Sequence, residues 1–216
     1  MSNNQYTNGT PYNGGAYQQP AGAPPQGYPR QAAGYPQQPV QGVSPRENME
    51  LVYEVCLNYA QKFGKFSIKN LFLSGAPGLG KTFLSACIAR TVSENGHSVV
   101  YDTAGNVFAQ FEARKFLRDG ADAMEARDET RRYLHCDLLI LDDLGSELTT
   151  QLTQSALYEL VNTRLVAGRH TVISSNLTMG DVGRRYAPQI ASRLEGEYHV
   201  LHFFGDDIRL LKKNRL

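Results

Sequence analysis

Residues 75–82 read Gly-Ala-Pro-Gly-Leu-Gly-Lys-Thr and fit the spacing G-x-x-x-x-G-K-[ST]. The glycines let successive backbone N–H groups converge, and the apolar run before them and the amphipathic run after them put that convergence at a helix N-terminus. Unpaired N–H donors and the helix dipole favour an anion there. A lysine and a hydroxyl at the end of such a loop suit a polyphosphate with its cation: Lys81 would neutralise the β and γ phosphates and Thr82 would ligate magnesium. Gly75, Ala76, Pro77, Gly78, Leu79, Gly80, Lys81, Thr82 and the adjoining Phe83 are therefore expected to hold ATP with Mg2+.

Three further groups could complete the chemistry. Asp137-Leu-Leu-Ile-Leu-Asp-Asp143 sets two carboxylates at the end of a buried strand, where ligands of parallel sheets bind. It looks like a Walker B motif: Asp142 would hold magnesium through water, and Asp143 would act as base or orient water beside the γ-phosphate. The same residues also suit a strand-ending turn. Val172-Ile-Ser-Ser-Asn176 ends another strand, and Asn176 either orients the attacking water or caps the helix that follows. Arg193, between apolar Ile190 and Leu194, reads alone as a solvated helix charge.

The elements that must position these groups follow from periodicity. Apolar positions Met49, Val52, Cys56, Tyr59, Ala60 and Phe63 recur at three- and four-residue steps, which predicts a helix over 47–63. Strands are expected at 70–74, 98–102, 137–142, 170–175 and near 198–203, with helices at 81–92 and about 150–166 and short helices within 181–194. Continuous apolar strands alternating with helices imply an α/β fold with five parallel strands between helical layers. Residues 103–136 leave room for two helices where one would suffice.

Composition divides the chain. The first 45 residues hold eight of the ten prolines and a single charge, Arg30, too little apolar matter to offset chain entropy, so 1–45 read as a disordered tail rich in Pro, Gln, Gly and Tyr. Residues 46–216 read as the folded domain. It is formally neutral, 21 basic against 21 acidic residues once Arg30 is set aside, so nucleic acid could be bound only by a local patch. Cys56, Cys87 and Cys136 lack the spacing of a zinc site or disulfide framework. With no 18-residue apolar run and no apolar leader, the reading is a cytoplasmic protein without a membrane span.

The order GAPGLGKT, LLILDDLG, ISSNLT and IASRL, followed by Asp206-Asp-Ile-Arg-Leu-Leu-Lys212, resembles the AAA+ ATPases of the DnaC/DnaI helicase-loader and IstB transposition-helper group over about residues 44–216. The resemblance implies a P-loop AAA+ fold and an ATP site shared between copies of a homo-oligomer. It matches Asn176 to sensor 1 and Arg193 to the arginine finger that reaches a neighbour's γ-phosphate. The Asp142-Asp143 pair departs from the Asp-Glu common in AAA+ proteins, and the shorter carboxylate suits slow hydrolysis stimulated by DNA or a partner. Residues 103–136 match the extra helical element by which this clade touches single-stranded DNA, and Phe108, Arg114, Lys115 and Arg118 are the expected contacts; an amphipathic helix with a solvated basic face reads equally well. Thirteen residues follow Phe203, too few for a full helical lid, and Arg209 is the position to compare with sensor 2. Partners implied are single-stranded DNA and a replicative helicase, or a transposase; a nucleotide-gated binding module with negligible turnover is the remaining alternative.

Overall fold

The computed structural model describes residues 42–117 and 119–213, the last three of these by backbone alone. The expected tail up to residue 41 and the candidate contact Arg118 lie outside the described residues. The first helix, α1 (Pro45–Gln61), starts two residues ahead of the predicted one because of local chemistry: Ser44 is its N-cap, Pro45 occupies the first turn, and Glu47 returns a carboxylate to the Ser44 backbone N–H at 2.9 Å.

Five parallel strands form one sheet: β1 (Leu71–Gly75), β2 (Val99–Thr103), β3 (Leu138–Leu144), β4 (His170–Ser175) and β5 (His199–Phe203), in the order β2-β3-β4-β1-β5. Between them run α2 (Lys81–Glu94), α3 (Ala104–Phe116), α4 (Ala121–His135), α5 (Gln151–Val166), α6 (Met179–Arg185) and α7 (Pro188–Glu197), with α8 (Ile208–Lys213) after β5. The surplus between β2 and β3 is indeed two helices, α3 and α4.

Both faces of the sheet are covered, which is why the central strands β1 and β3 carry unbroken apolar runs. Leu138 and Ile140 of β3 point with Leu71 and Leu73 of β1 into the core under α1 and α2. Leu139 and Leu141 point the other way, with Phe72, into the core under α3, α5 and α7. This order has one consequence for function. β3, β4 and β1 lie side by side, so Asp142–Asp143, Asn176 and the glycine loop leave adjacent strands at the same C-terminal edge.

Candidate nucleotide-binding site

The loop after β1 turns on its glycines. Gly80 is the N-cap of α2 with φ +93°, and Gly78 has φ +83° with the Asp207 carboxyl packed where a Cβ would stand. Leu79, between them, is buried in the core beneath α1 and α2 and anchors the loop from below. Lys81 is 8% exposed, and its Nζ donates to the carbonyls of Gly75 at 2.6 Å and Ala76 at 2.8 Å. Those acceptors satisfy two of the ammonium's three hydrogens without cancelling its charge. Burial holds its pKa below the usual lysine range, against the upward pull of Asp143 and Asp142. Ala76, Pro77 and Thr82 lie exposed along the loop, and Phe83 is exposed on the first turn of α2.

Asp142 is buried at the end of β3, ringed by hydroxyls. Its Oδ1 lies 3.4 Å from Thr82 Oγ1 on α2 and accepts from Ser174 Oγ on β4; its Oδ2 accepts from Tyr101 OH on β2 at 2.7 Å. Burial and that hydrogen bond push the Tyr101 phenol well above the ordinary tyrosine range, so it stays a donor. Next to Asp142 the β3–β4 register slips: Leu141 pairs with Ile173 but Leu144 with Ser175, so two residues of β3 oppose Ser174 alone. Asp143 takes up the extra residue with φ +61°, its N–H bonded to Ser174 Oγ at 3.0 Å and its side chain exposed. This bulge turns both carboxylates toward the sheet edge. The sequence pattern does not single out Ser174 or Tyr101; the signal for Ser174 is a hydroxyl following the apolar pair Val172-Ile173 near the end of β4, opposite the Asp142–Asp143 bulge of β3.

Asn176 is exposed just beyond β4, between the other two motifs. The helix after it is capped by Thr178 in a box with Asp181, which corrects the alternative reading of Asn176 as the cap. Arg193 lies on α7 with its guanidinium 5.4 Å from the Tyr158 ring of α5 and Nη2 3.4 Å from the Tyr158 hydroxyl. Arg209 sits beside the loop: its N–H bonds Asp207 Oδ1 at 2.8 Å, and Ile208 N–H bonds Gly78 O at 3.0 Å.

The four expected DNA contacts do not behave alike. Phe108 is 4% exposed within the core under α3, so no base can reach its ring; it is corrected from contact to core residue, on the same helix face as Ala104, Val107 and Phe111. Arg114 is drawn to Glu159 of α5 through two hydrogen bonds of 2.7 and 2.8 Å and lies over the Phe111 ring. Lys115 is exposed, and beside it at the α3–α4 turn Phe116 is 61% and Met124 66% exposed. Among the described residues no helix is long and apolar enough to cross a membrane.

The donor set suits magnesium. Thr82 Oγ1 is a hard oxygen donor, and Asp142 Oδ1 lies 3.4 Å from it, where a carboxylate would hold a metal-bound water, as expected where phosphates and water supply the remaining positions.

Comparison with known proteins agrees with this geometry. The family model for IstB-like ATP binding protein matches residues 64–215. A putative insertion sequence ATP-binding protein, y4pL of Sinorhizobium fredii, is 29% identical over 145 residues, 65% of this chain and 56% of its own length. The replicative helicase loader DnaC of Buchnera aphidicola is 26% identical over 119 residues, 55% of this chain and 47% of its own. The chain thus spans about half the length of these curated relatives. In fold it matches the crystal structure of the DnaC helicase loader with a TM-score of 0.60 at 18% identity, covering 73% of this chain and 90% of that one.

Proposed function

Because the chain belongs to the family of IstB-like ATP-binding proteins, we propose that it is a cytoplasmic AAA+ ATPase that hydrolyses ATP slowly, self-associates on single-stranded DNA and helps load a replicative helicase. The observation that carries the catalytic part is the convergence at one sheet edge of the Lys81 loop, the Thr82–Asp142 pair, Asp143 and Asn176. Loop N–H groups and Lys81 would hold the phosphates. Magnesium, held by Thr82 and through water by Asp142, would draw charge from the phosphate oxygens as the terminal bond breaks. Asp143 and Asn176, both exposed, would orient the attacking water.

Arg193 fits the same reading from outside. Held against Tyr158 on the α5–α7 surface, it is available to a second copy's nucleotide, and the resulting site would be shared between subunits. The exposed Lys115 and Phe116 at the α3–α4 turn offer a cation for the DNA backbone and a ring for a base. Assistance to a transposase is the second reading, favoured by the family match and the insertion sequence relative.

The test mixes two defective variants. Lys81→Ala should lose ATP binding, Arg193→Ala should bind ATP without hydrolysing it, and their mixture should recover part of the turnover, since each supplies what the other lacks. Full turnover by Arg193→Ala alone would remove the shared site. Hydrolysis measured with and without single-stranded DNA separates an ATPase from a binding module, and recovery of a helicase or a transposase from extract in ATP separates the two partners.

A further inference from the structure

Tyr101 reaches Asp142 by a route set by strand register. In the β2–β3 pairing Thr103 is the direct neighbour of Asp142, and Tyr101 sits two residues back, opposite Ile140 on the same face. Two strand residues advance about 6.6 Å, close to the length of a tyrosine side chain. The phenol therefore lies along the strand and ends on Asp142 Oδ2 at 2.7 Å. β2 is one edge of the sheet, and Tyr101 is 36% exposed, so it stands between Asp142 and solvent on that flank.

The two carboxylate oxygens thereby receive different duties. Oδ1 faces Ser174 and Thr82, the side on which the cation would sit. Oδ2 is committed to Tyr101. A carboxylate turns about its Cβ–Cγ bond unless both oxygens are tied, and the tie on the outer oxygen is this phenol. Phenylalanine would fill the same space and cover the same flank but could not donate.

We propose that Tyr101 is a positioning residue for Asp142, fixing the rotation of its carboxylate and thereby setting the magnesium concentration at which the site binds nucleotide. This rests on the reading of Thr82 and Asp142 as the magnesium side of an ATP site. Tyr101 touches neither nucleotide nor metal in this scheme. Its effect passes through Asp142, so it should vanish when Asp142 can no longer bind a cation.

The probe is a fluorescent ATP analogue, titrated in EDTA and across a range of Mg2+ on the full chain. The parent should bind more tightly as Mg2+ rises. Tyr101→Phe should need about 10- to 100-fold more Mg2+ for the same tightening, the loss expected of a hydrogen bond to a charged group, with its affinity in EDTA and its melting temperature unchanged. In an Asp142→Asn background the Phe substitution should change nothing further. An unaltered Mg2+ midpoint in Tyr101→Phe overturns the inference while leaving the ATP site intact. Equal weakening in EDTA, or an effect that persists with Asp142→Asn, also overturns it, because the phenol would then act on the fold or on nucleotide directly. A parent that ignores Mg2+ brings down the underlying site reading, and the role of Tyr101 with it.

Discussion

Ser174 on β4 holds Asp142 on β3: its hydroxyl donates to Asp142 Oδ1 and at the same time accepts the backbone N–H of Asp143 at 3.0 Å. One serine thus fixes the buried acid and the left-handed residue of the bulge beside it. At saturating Mg2+, Ser174→Ala should leave ATP affinity within about twofold, since the loop is untouched, and lower the hydrolysis rate roughly 10- to 100-fold, the worth of one hydrogen bond to a charged group. Steady-state turnover beside equilibrium nucleotide binding checks this. A parallel loss of affinity would show that Ser174 supports the loop as well.

The α3–α4 turn gives a prediction that separates charge from stacking. Lys115→Glu should weaken binding of a single-stranded oligonucleotide and flatten its dependence on salt by about 0.7 or more in log–log slope, because a phosphate contact is lost. Phe116→Ala should weaken binding, by about 1–3 kcal/mol if one base stacks there, without changing that slope. Phe108→Leu should affect stability and leave the slope alone, since its ring is in the core. Fluorescence anisotropy at several salt concentrations decides all three.

Much of this was legible in the sequence for a physical reason. The central strands β1 and β3 are buried on both faces, so each shows as a short apolar run, and Gly75–Thr82 is a motif whose residues act through the backbone and so depend little on what surrounds them. The two helices between β2 and β3 followed from length alone. What stayed hidden depends on pairing between distant segments. Tyr101 and Ser174 meet Asp142 only because the strand order sets β2 and β4 on either side of β3. The Asp142–Asp143 bulge is a two-against-one count that needs both strands to be seen. Phe108 differs, because its place was legible: Ala104, Val107, Phe108 and Phe111 recur at the three- and four-residue steps of one helix face, and that face is the buried one.

Acid should destabilise the domain through His170. Its ring packs 4.5 Å from the Phe63 ring, and burial lowers its pKa below the usual value near 6.5. The unfolded chain then binds a proton at a pH where the folded one does not, so this contribution to stability is intact above about pH 6.5 and is lost as pH falls from there toward the folded-state pKa. His170→Leu keeps an apolar ring neighbour of similar bulk and removes the titration. Its melting temperature should decline less between pH 7 and pH 5.5 than that of the parent. Identical slopes would assign the acid sensitivity elsewhere.

Arg164 of α5 should prove the costliest single side chain to remove outside the nucleotide site. It is wholly buried, and its guanidinium donates to Tyr133 O at 2.6 Å and Cys136 O at 3.2 Å at the end of α4, to His170 O at 2.6 Å, and to Thr171 Oγ1 at 3.0 Å at the start of β4. A cation there also meets the negative end of the α4 dipole. Burial pulls its pKa down, but arginine starts too high to lose its proton, so the charge must be satisfied by these oxygens. Arg164→Met fills the volume yet strands the carbonyls, and should cost about 3–5 kcal/mol in denaturant unfolding. Arg164→Lys should rescue little, because one ammonium cannot span acceptors on both α4 and β4. A cost below about 1 kcal/mol for the methionine variant would mean that water or backbone movement repairs the gap and that α4 is not held in place by this residue.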